Sequence, residues 1–237
     1  LINLALEIKN TNKRHNLNQK IASLFFENST RTRVSSETAA QNLNCYINGF
    51  SGAEGTSVKK GEPFKDTIKM FQAYDYKAII MRHNLEGSAR FAADNSDIPI
   101  INGGDGSNSH PTQTLLDLMT IKEIKHSLDN LKIALVGDLR YGRTTHSLLQ
   151  SFKHYNIEVY LVSPENLKMP QWRIKDFKKN IITTQDLKKT IKQVDVLYMT
   201  RIQRERFPKG PEGELEYKKV SGIYKITKEI LTQAKKT

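Results

Sequence analysis

The 237 residues are 38% hydrophobic and 26% charged. That is apolar material for one large or two small cores, and too much for a disordered chain. Lys and Arg number 37 against 25 Asp and Glu, a formal charge of +12, which leaves open a nucleic-acid surface, a solvated basic surface, or arginines that hold small anions. The lysines crowd the last third, at Lys168, Lys175, Lys178, Lys179, Lys188, Lys189 and Lys192, with no aromatic ladder between them. That favours a solvated face over nucleic acid. The longest apolar runs, such as residues 78–81, fall far short of the roughly 20 residues of a membrane helix. Residues 1–9 carry Glu7 and no basic segment, so they do not form a secretion signal. The missing initiator Met leaves room for residues upstream. Cys45 is the single cysteine, which excludes an intramolecular disulfide and a multi-cysteine zinc site and suits the cytoplasm.

In chain order, the pattern predicts a strand at 21–26, a helix at 30–43, a strand at 45–50 and a helix at 63–73. A strand at 77–81, a helix at 86–93, a strand at 98–101 and a helix at 111–124 follow. After a polar stretch at 125–130 the alternation restarts, with a strand at 131–136, a helix at 144–155 and a strand at 157–162. Helices near 171–179 and 185–192 and a strand at 194–199 complete it. Strand-helix alternation implies parallel sheets covered by helices. The chain therefore reads as α/β with two domains, 1–127 and 128–237. In such folds ligands bind beyond the C-terminal ends of the strands.

The segments after the strands carry the chemistry. Residues 27–33 read Glu-Asn-Ser-Thr-Arg-Thr-Arg. Ser29 is placed as an N-cap, with Thr30, Arg31 and Thr32 in the first helical turn. Free N–H groups, hydroxyls and a guanidinium there make an anion site. Basic residues at a helix start oppose the dipole, so Arg31 and Arg33 need an anion or a carboxylate partner. Arg82 ends the strand Ala-Ile-Ile-Met. Residues 102–113 form a glycine-rich loop leading into a helix, with His110 and Gln113 three apart on one face. Residues 137–144, Gly-Asp-Leu-Arg-Tyr-Gly-Arg-Thr, nearly match a P-loop, but Arg143 replaces its lysine, Asp138 brings a negative charge, and no magnesium motif accompanies it. Arg201 and Gln203 follow the last strand and, in extended chain, face one side. The stretch 49–62 reads as a long polar loop, a lid or a disordered segment, with Ser57, Lys59 and Lys60 as cation or hydroxyl donors. No Ser-His-Asp arrangement, metal cluster or paired acid is evident. The set suits two anionic substrates and a polarised carbonyl, hence direct group transfer.

At these residues the sequence resembles the aspartate/ornithine carbamoyltransferase family. The matching stretches are F-F-E-N-S-T-R-T-R (25–33), M-R-H (81–83), G-D-G-S-N-S-H-P-T-Q-T-L-L-D (104–117), V-G-D-L-R-Y-G-R-T (136–144) and Y-M-T-R-I-Q-R-E-R (198–206). S-T-R-T-R is common to both branches. H-P-T-Q-T-L-L-D and T-R-x-Q-x-E-R look like the aspartate branch. The resemblance implies carbamoyl transfer from carbamoyl phosphate to L-aspartate, an early step of pyrimidine synthesis, without cofactor or metal. The alternatives are another amine acceptor such as ornithine, or a basic nucleic-acid-binding α/β protein. It implies that residues 1–127 bind carbamoyl phosphate and 128–237 bind aspartate. Ser29, Thr30, Arg31 and Thr32 would hold phosphate, Arg82 and His110 the phosphate and carbonyl oxygen, and Gln113 the carbamoyl amide. Arg143, Arg201 and Gln203 would hold the aspartate carboxylates. Ser57 and Lys60 would come from the neighbouring subunit of a homotrimer, with Lys60 also on the aspartate, and a regulatory chain is a further possible partner. Arg31, Thr32, Arg82 and His110 would be catalytic. The sequence departs from the family in three ways. Ser36 stands where Phe is usual, and the segment between Ser57 and Lys59 is short, so Lys60 is matched through Lys-Gly-Glu. The H-P-L-P-R segment and final helix lie beyond Thr237, so the natural chain is expected to be longer.

Overall fold

A computed structural model describes all residues except 12–14, 176, 178–179, 205–206 and 236–237. Lys178 and Lys179 of the lysine-rich stretch, Glu205 and Arg206 of the last motif, and Thr237 thus lie outside the described residues. The chain divides into two compact units, Leu1–Met119 and Thr120–Thr237.

The first unit contains α1 (Ile2–Thr11), β1 (Lys20–Phe25), α2 (Thr30–Asn42), β2 (Tyr46–Ser51), α3 (Phe64–Ala73), β3 (Ala78–His83), α4 (Ser88–Asp94) and β4 (Ile100–Asp105). Helix α5 (Pro111–Lys125) begins in it, and the division between the units falls inside that helix. The strands form one parallel sheet in the order β2-β1-β3-β4. Five consecutive buried residues of β1, Ile21 to Phe25, form a continuous apolar run apart from Ser23, as expected for a strand covered on both faces. On one face Ala22, Leu24, Ile79 and Met81 pack with Ile68 and Phe71 of α3 and Ala89 and Ala92 of α4. On the other, Ile21, Phe25 and Ile80 pack with Ala40 of α2 and Cys45.

The second unit contains β5 (Leu131–Val136), α6 (Arg143–Ser151), β6 (Ile157–Val162), α7 (Gln171–Ile174), β7 (Ile181–Thr184), α8 (Leu187–Thr190), β8 (Val196–Met199), α9 (Pro211–Val220) and α10 (Lys228–Leu231). Its sheet is also parallel, in the order β7-β6-β5-β8. One face buries Ala134, Val136, Tyr160 and Val162 with Leu187 and Val194.

The α/β class with two parallel sheets is therefore as the pattern implies. The details differ in four places. Strand β4 runs through Asn102, Gly103 and Gly104 to Asp105, beyond the expected end at 101. Glycine allows this close approach, since a Cβ at Gly103 would lie 3.1 Å from the Met81 carbonyl oxygen and 3.3 Å from Thr32 Cγ2. The four-residue strand β7 lies between two expected helices, which shorten to the single turns α7 and α8. Helix α6 ends at Ser151 and tightens into a 3₁₀ turn at Phe152–His154. Helices α1, α9 and α10 fall outside the predicted elements.

Both sheets share a topological feature. From the first strand of each unit, the chain moves one way to the second strand and later returns to the opposite side. The switch points lie between β1 and β3 and between β5 and β8. Ligands bind in the crevice that such a reversal opens at the strand ends.

Candidate active site

The first switch point gathers the ends of β1 and β3, where Phe25 is paired with Arg82. Ser29 is the N-cap residue of α2, but its side chain makes no capping bond. Instead its Oγ accepts from Arg82 Nη1 at 3.3 Å, so the hydroxyl belongs to the strand-end cluster. Arg82 Nη2 donates to Glu27 Oε1 at 2.8 Å, with both side chains mostly buried. The two arginines of α2 separate cleanly. Arg33 pairs with Glu37, one turn on, at 3.5 Å. Arg31 is exposed and pairs with no carboxylate among the described residues. Arg33 thus has an internal answer to its unfavourable place on the helix dipole, and Arg31 has no such carboxylate among the described residues.

His110 reaches the same helix start from the other side. The residue is 6% exposed. Nε2 lies 3.5 Å from Thr32 Oγ1, while Nδ1 accepts from the Gln113 N–H at 3.4 Å and lies 3.2 Å from Thr112 Oγ1. An Nδ1 that accepts from a backbone N–H leaves the proton of the neutral ring on Nε2, facing Thr32. Gln113 Nε2 donates to Asp117 Oδ1 at 2.9 Å. Its amide oxygen is then the end available to accept from a bound N–H group.

His83, next to Arg82, plays a different part. Its ring lies between Phe26 and Phe64, at 4.8 and 5.0 Å, and Nδ1 accepts from the Leu85 N–H at 3.0 Å. Burial lowers its pKa, with the nearby Glu27 carboxylate opposing. It is a neutral packing histidine.

The second switch point carries Gly137–Arg143 after β5 and Thr200–Gln203 after β8. Gly137 has φ of +113°, and a Cβ there would meet the Thr200 carbonyl oxygen at 2.5 Å, so the two strand ends touch through glycine. Asp138 is 0% exposed. Its own N–H donates to Thr200 Oγ1 at 3.0 Å and its Oδ1 accepts the Tyr141 N–H at 2.9 Å. The loop folds around its own aspartate, which is the physical reason it is no phosphate-cradling P-loop. Arg143 opens α6. Gln203 Nε2 donates to the Tyr141 carbonyl at 3.4 Å, bringing the loop after β8 beside the loop before Arg143. Arg201 is exposed on that loop. His146 on α6 secures the same loop, its ring Nε2 lying 2.8 Å from the Leu139 carbonyl oxygen.

Ser57 and Lys60 stand apart. Both are exposed on a 3₁₀ turn, Ser57–Lys60, closed by Gly61 in the left-handed region. The stretch 49–62 is thus partly folded: it begins with the end of β2 and contains this turn. Lys59 pairs with Glu54. Among the described residues no hydrogen bond or ion pair links Ser57 or Lys60 to the α2 start. Also among them, no group of three or more His, Cys, Asp or Glu could hold a metal ion, and no helix is long and apolar enough to cross a membrane. The residues missed from sequence are carboxylates: Glu27, partner of Arg82, and Asp105, inside the His110 loop. A carboxylate two residues before S-T-R-T-R was the visible signal for the first.

The chain thus holds two α/β units, each with a parallel sheet, one with hydroxyls and guanidinium groups at the start of α2 and one with arginines on its strand-end loops. The family model described as aspartate/ornithine carbamoyltransferase, carbamoyl-P binding domain, matches residues 1–123, and the corresponding Asp/Orn binding domain matches 129–237. The chain belongs to the aspartate/ornithine carbamoyltransferase family. It is 51% identical over 220 residues to the aspartate carbamoyltransferase catalytic subunit of Thermococcus kodakarensis, covering 92% of this chain and 69% of that relative. Among solved structures it is similar to aspartate transcarbamoylase of Trypanosoma cruzi in complex with carbamoyl aspartate and phosphate, with 34% identity and a TM-score of 0.87 over 99% of this chain and 76% of that one. The catalytic subunit of the M. jannaschii enzyme shows 44% identity and a TM-score of 0.83, over 99% and 77%.

Proposed function

We propose that this chain is an aspartate carbamoyltransferase, moving the carbamoyl group of carbamoyl phosphate to the amine of L-aspartate. The products are N-carbamoyl-L-aspartate and phosphate, and the step serves pyrimidine biosynthesis. The observation that carries the site assignment is the approach of His110 Nε2 to Thr32 Oγ1 at the start of α2. It sets a neutral N–H donor beside an anion site, the combination needed to hold a phosphate and polarise the carbonyl next to it.

In this reading Ser29, Thr30, Arg31 and Thr32 hold the phosphate, with α2 N–H groups adding to them. Arg82 and His110 donate to the carbonyl oxygen and to the phosphate. The amine nitrogen attacks the carbonyl carbon, and negative charge gathers on the carbonyl oxygen of the tetrahedral intermediate. Fixed donors aimed at that oxygen stabilise it. The bond from carbon to the phosphate oxygen then breaks, and the departing phosphate is chemically able to take the amine proton. Gln113 accepts from the carbamoyl amide through its oxygen. Arg143, Arg201 and Gln203 bind the acceptor carboxylates, where guanidinium groups give strong directional pairs. Purified protein supplied with both substrates should form N-carbamoyl-L-aspartate, and ornithine should not replace aspartate. Transfer to ornithine at an equal rate would overturn the acceptor assignment.

The chain works as a homotrimer in this proposal, with Ser57 and Lys60 donated across the subunit boundary. Their support is their exposed place on a folded turn, unconnected to the α2 start of their own chain. Trimers mixed after dissociation from inactive His110→Ala and Lys60→Ala chains should regain roughly a quarter of their sites, since a head-to-tail ring builds each site from two chains. Mixed trimers that stay inactive would place Lys60 within its own chain or outside the site. A cytoplasmic enzyme fits the free, buried Cys45. A regulatory chain, if one binds, would act on this trimer.

A further inference from the structure

The glycine-rich loop that delivers His110 is organised by a residue with no role in the transfer as derived above. Asp105 ends β4 and is 1% exposed. A carboxylate is rarely so buried unless donors surround it. Here Oδ1 accepts from Asn102 Nδ2 at 2.9 Å, Ser109 Oγ at 2.9 Å and Ser109 N at 3.2 Å. Oδ2 accepts from Gly87 N and Asn108 Nδ2, each at 2.9 Å. All these donors are neutral. Four come from residues 102–109, the chain that runs up to His110, and Gly87 caps α4 in the loop that follows Arg82 and His83. The backbone closes the same turn: Asp105 N donates to Ser109 O at 3.1 Å, Asn108 N to Asp105 O at 2.9 Å, and Gly106 N to His83 O at 2.9 Å.

We infer that Asp105 is a positioning residue for the reaction: it clasps the turn at 105–109 to the loop after β3 and so fixes His110 against Thr32. This rests on the assignment of His110 as the donor to the carbonyl oxygen. The chemistry of the clasp requires a carboxylate. An asparagine of the same shape keeps one oxygen but presents an NH₂ in place of the other, so donor would face donor at Gly87 and Asn108 or at Asn102 and Ser109. The turn would have to open, and a ring displaced by about 1 Å can lose on the order of a hundredfold in rate.

The test is a double-mutant cycle on kcat in the intact chain, using His110→Ala, Asp105→Asn and both together, with Ser109→Ala as a milder second variant. His110→Ala should lower kcat by about a hundredfold or more. Asp105→Asn should lower kcat by about tenfold or more, with a smaller change in KM for aspartate. Ser109→Ala, which removes one of the five bonds, should lower it severalfold. Added to His110→Ala, either change should cost little, because a residue acting through His110 has nothing left to place. Losses that multiply in the double variants would overturn the inference while leaving His110 its role. An Asp105→Asn protein with full kcat would do the same. A His110→Ala protein with full kcat would instead remove both the inference and the carbonyl-oxygen assignment. If Asp105→Asn does not fold, the Ser109→Ala cycle decides the matter alone.

Discussion

In the first unit the loops after β3 and β4 close on Asp105, whose two oxygens take five hydrogen bonds. In the second unit the loop after β5 closes on Asp138, equally buried, whose Oδ1 takes the Tyr141 N–H while Oδ2 has no partner among the described residues. Both carboxylates sit at the end of a parallel strand and both shape a loop that carries a candidate substrate contact. The difference lies in how completely each charge is met. A saturated carboxylate makes a stiff turn, and a half-met one leaves a charged group at odds with its burial. The contrast suits the two tasks proposed. The donor to the carbonyl must be set before charge develops, because catalysis gains from donors that need no rearrangement. The loops proposed to take the acceptor carry the half-buried Arg143 and the exposed Arg201, whose proposed part is binding.

The comparison is broken most sharply at the anion sites. Arg31→Ala should lower kcat by about 10²–10³, the scale for removing a charge-stabilising donor. Steady-state kinetics with near-normal kcat would mean that the start of α2 is not where phosphate leaves. Gly137→Ala comes next and acts on stability. The new Cβ would press on the Thr200 carbonyl at a φ that suits glycine alone, and thermal unfolding should show a loss of about 2–4 kcal/mol. A neutral effect would mean that the ends of β5 and β8 yield easily, contrary to their close contact. Arg201→Gln is smaller again. It should raise KM for aspartate about tenfold, the loss of one guanidinium-carboxylate pair, with KM for carbamoyl phosphate little changed. Equal rises in both constants would erase the functional division between the two units.

Much of this was legible in the sequence because parallel strands buried on both faces announce themselves. Residues 131–136 and 157–162 are apolar runs with few interruptions, and their strands match the expected bounds. The candidate site residues stood out as candidates because they follow strands directly, and a guanidinium or imidazole there is unusual chemistry. Strand β7 was not, since four residues with two threonines give no period to detect. The extension of β4 through two glycines was hidden because glycine signals a loop, while its reason, contact with Met81 and Thr32, is a tertiary one. Ser29 was placed correctly at the start of α2, but its hydroxyl is taken by Arg82, 53 residues away. The buried carboxylates were least visible of all. Nothing in Gly-Asp-Gly or Val-Gly-Asp says that the side chain turns inward to collect its own loop.

The smallest effect tests the half-met carboxylate directly. Burial raises the pKa of Asp138, and the Tyr141 N–H, the nearby backbone of Gln203 and Arg140 and the Arg140 charge only partly oppose it. An aspartate with a native pKa above its unfolded value, about 3.9, binds its proton more tightly when folded. Its contribution to stability is complete below that unfolded value and is lost as pH rises through the raised native one. Once Asp138 ionises, the wild-type protein carries a buried charge that Asp138→Asn does not. At low pH both side chains are neutral and of one shape. The Tm of Asp138→Asn minus that of wild type should thus fall as pH drops from 7 toward 4, by on the order of a few degrees in a chain of this size. The same substitution at Asp105 should instead cost stability at pH 7, because there it replaces acceptor with donor in a site already filled. If thermal melts show a pH-independent difference at Asp138, the two aspartates are met equally well, and the contrast between a stiff turn and a strained one fails.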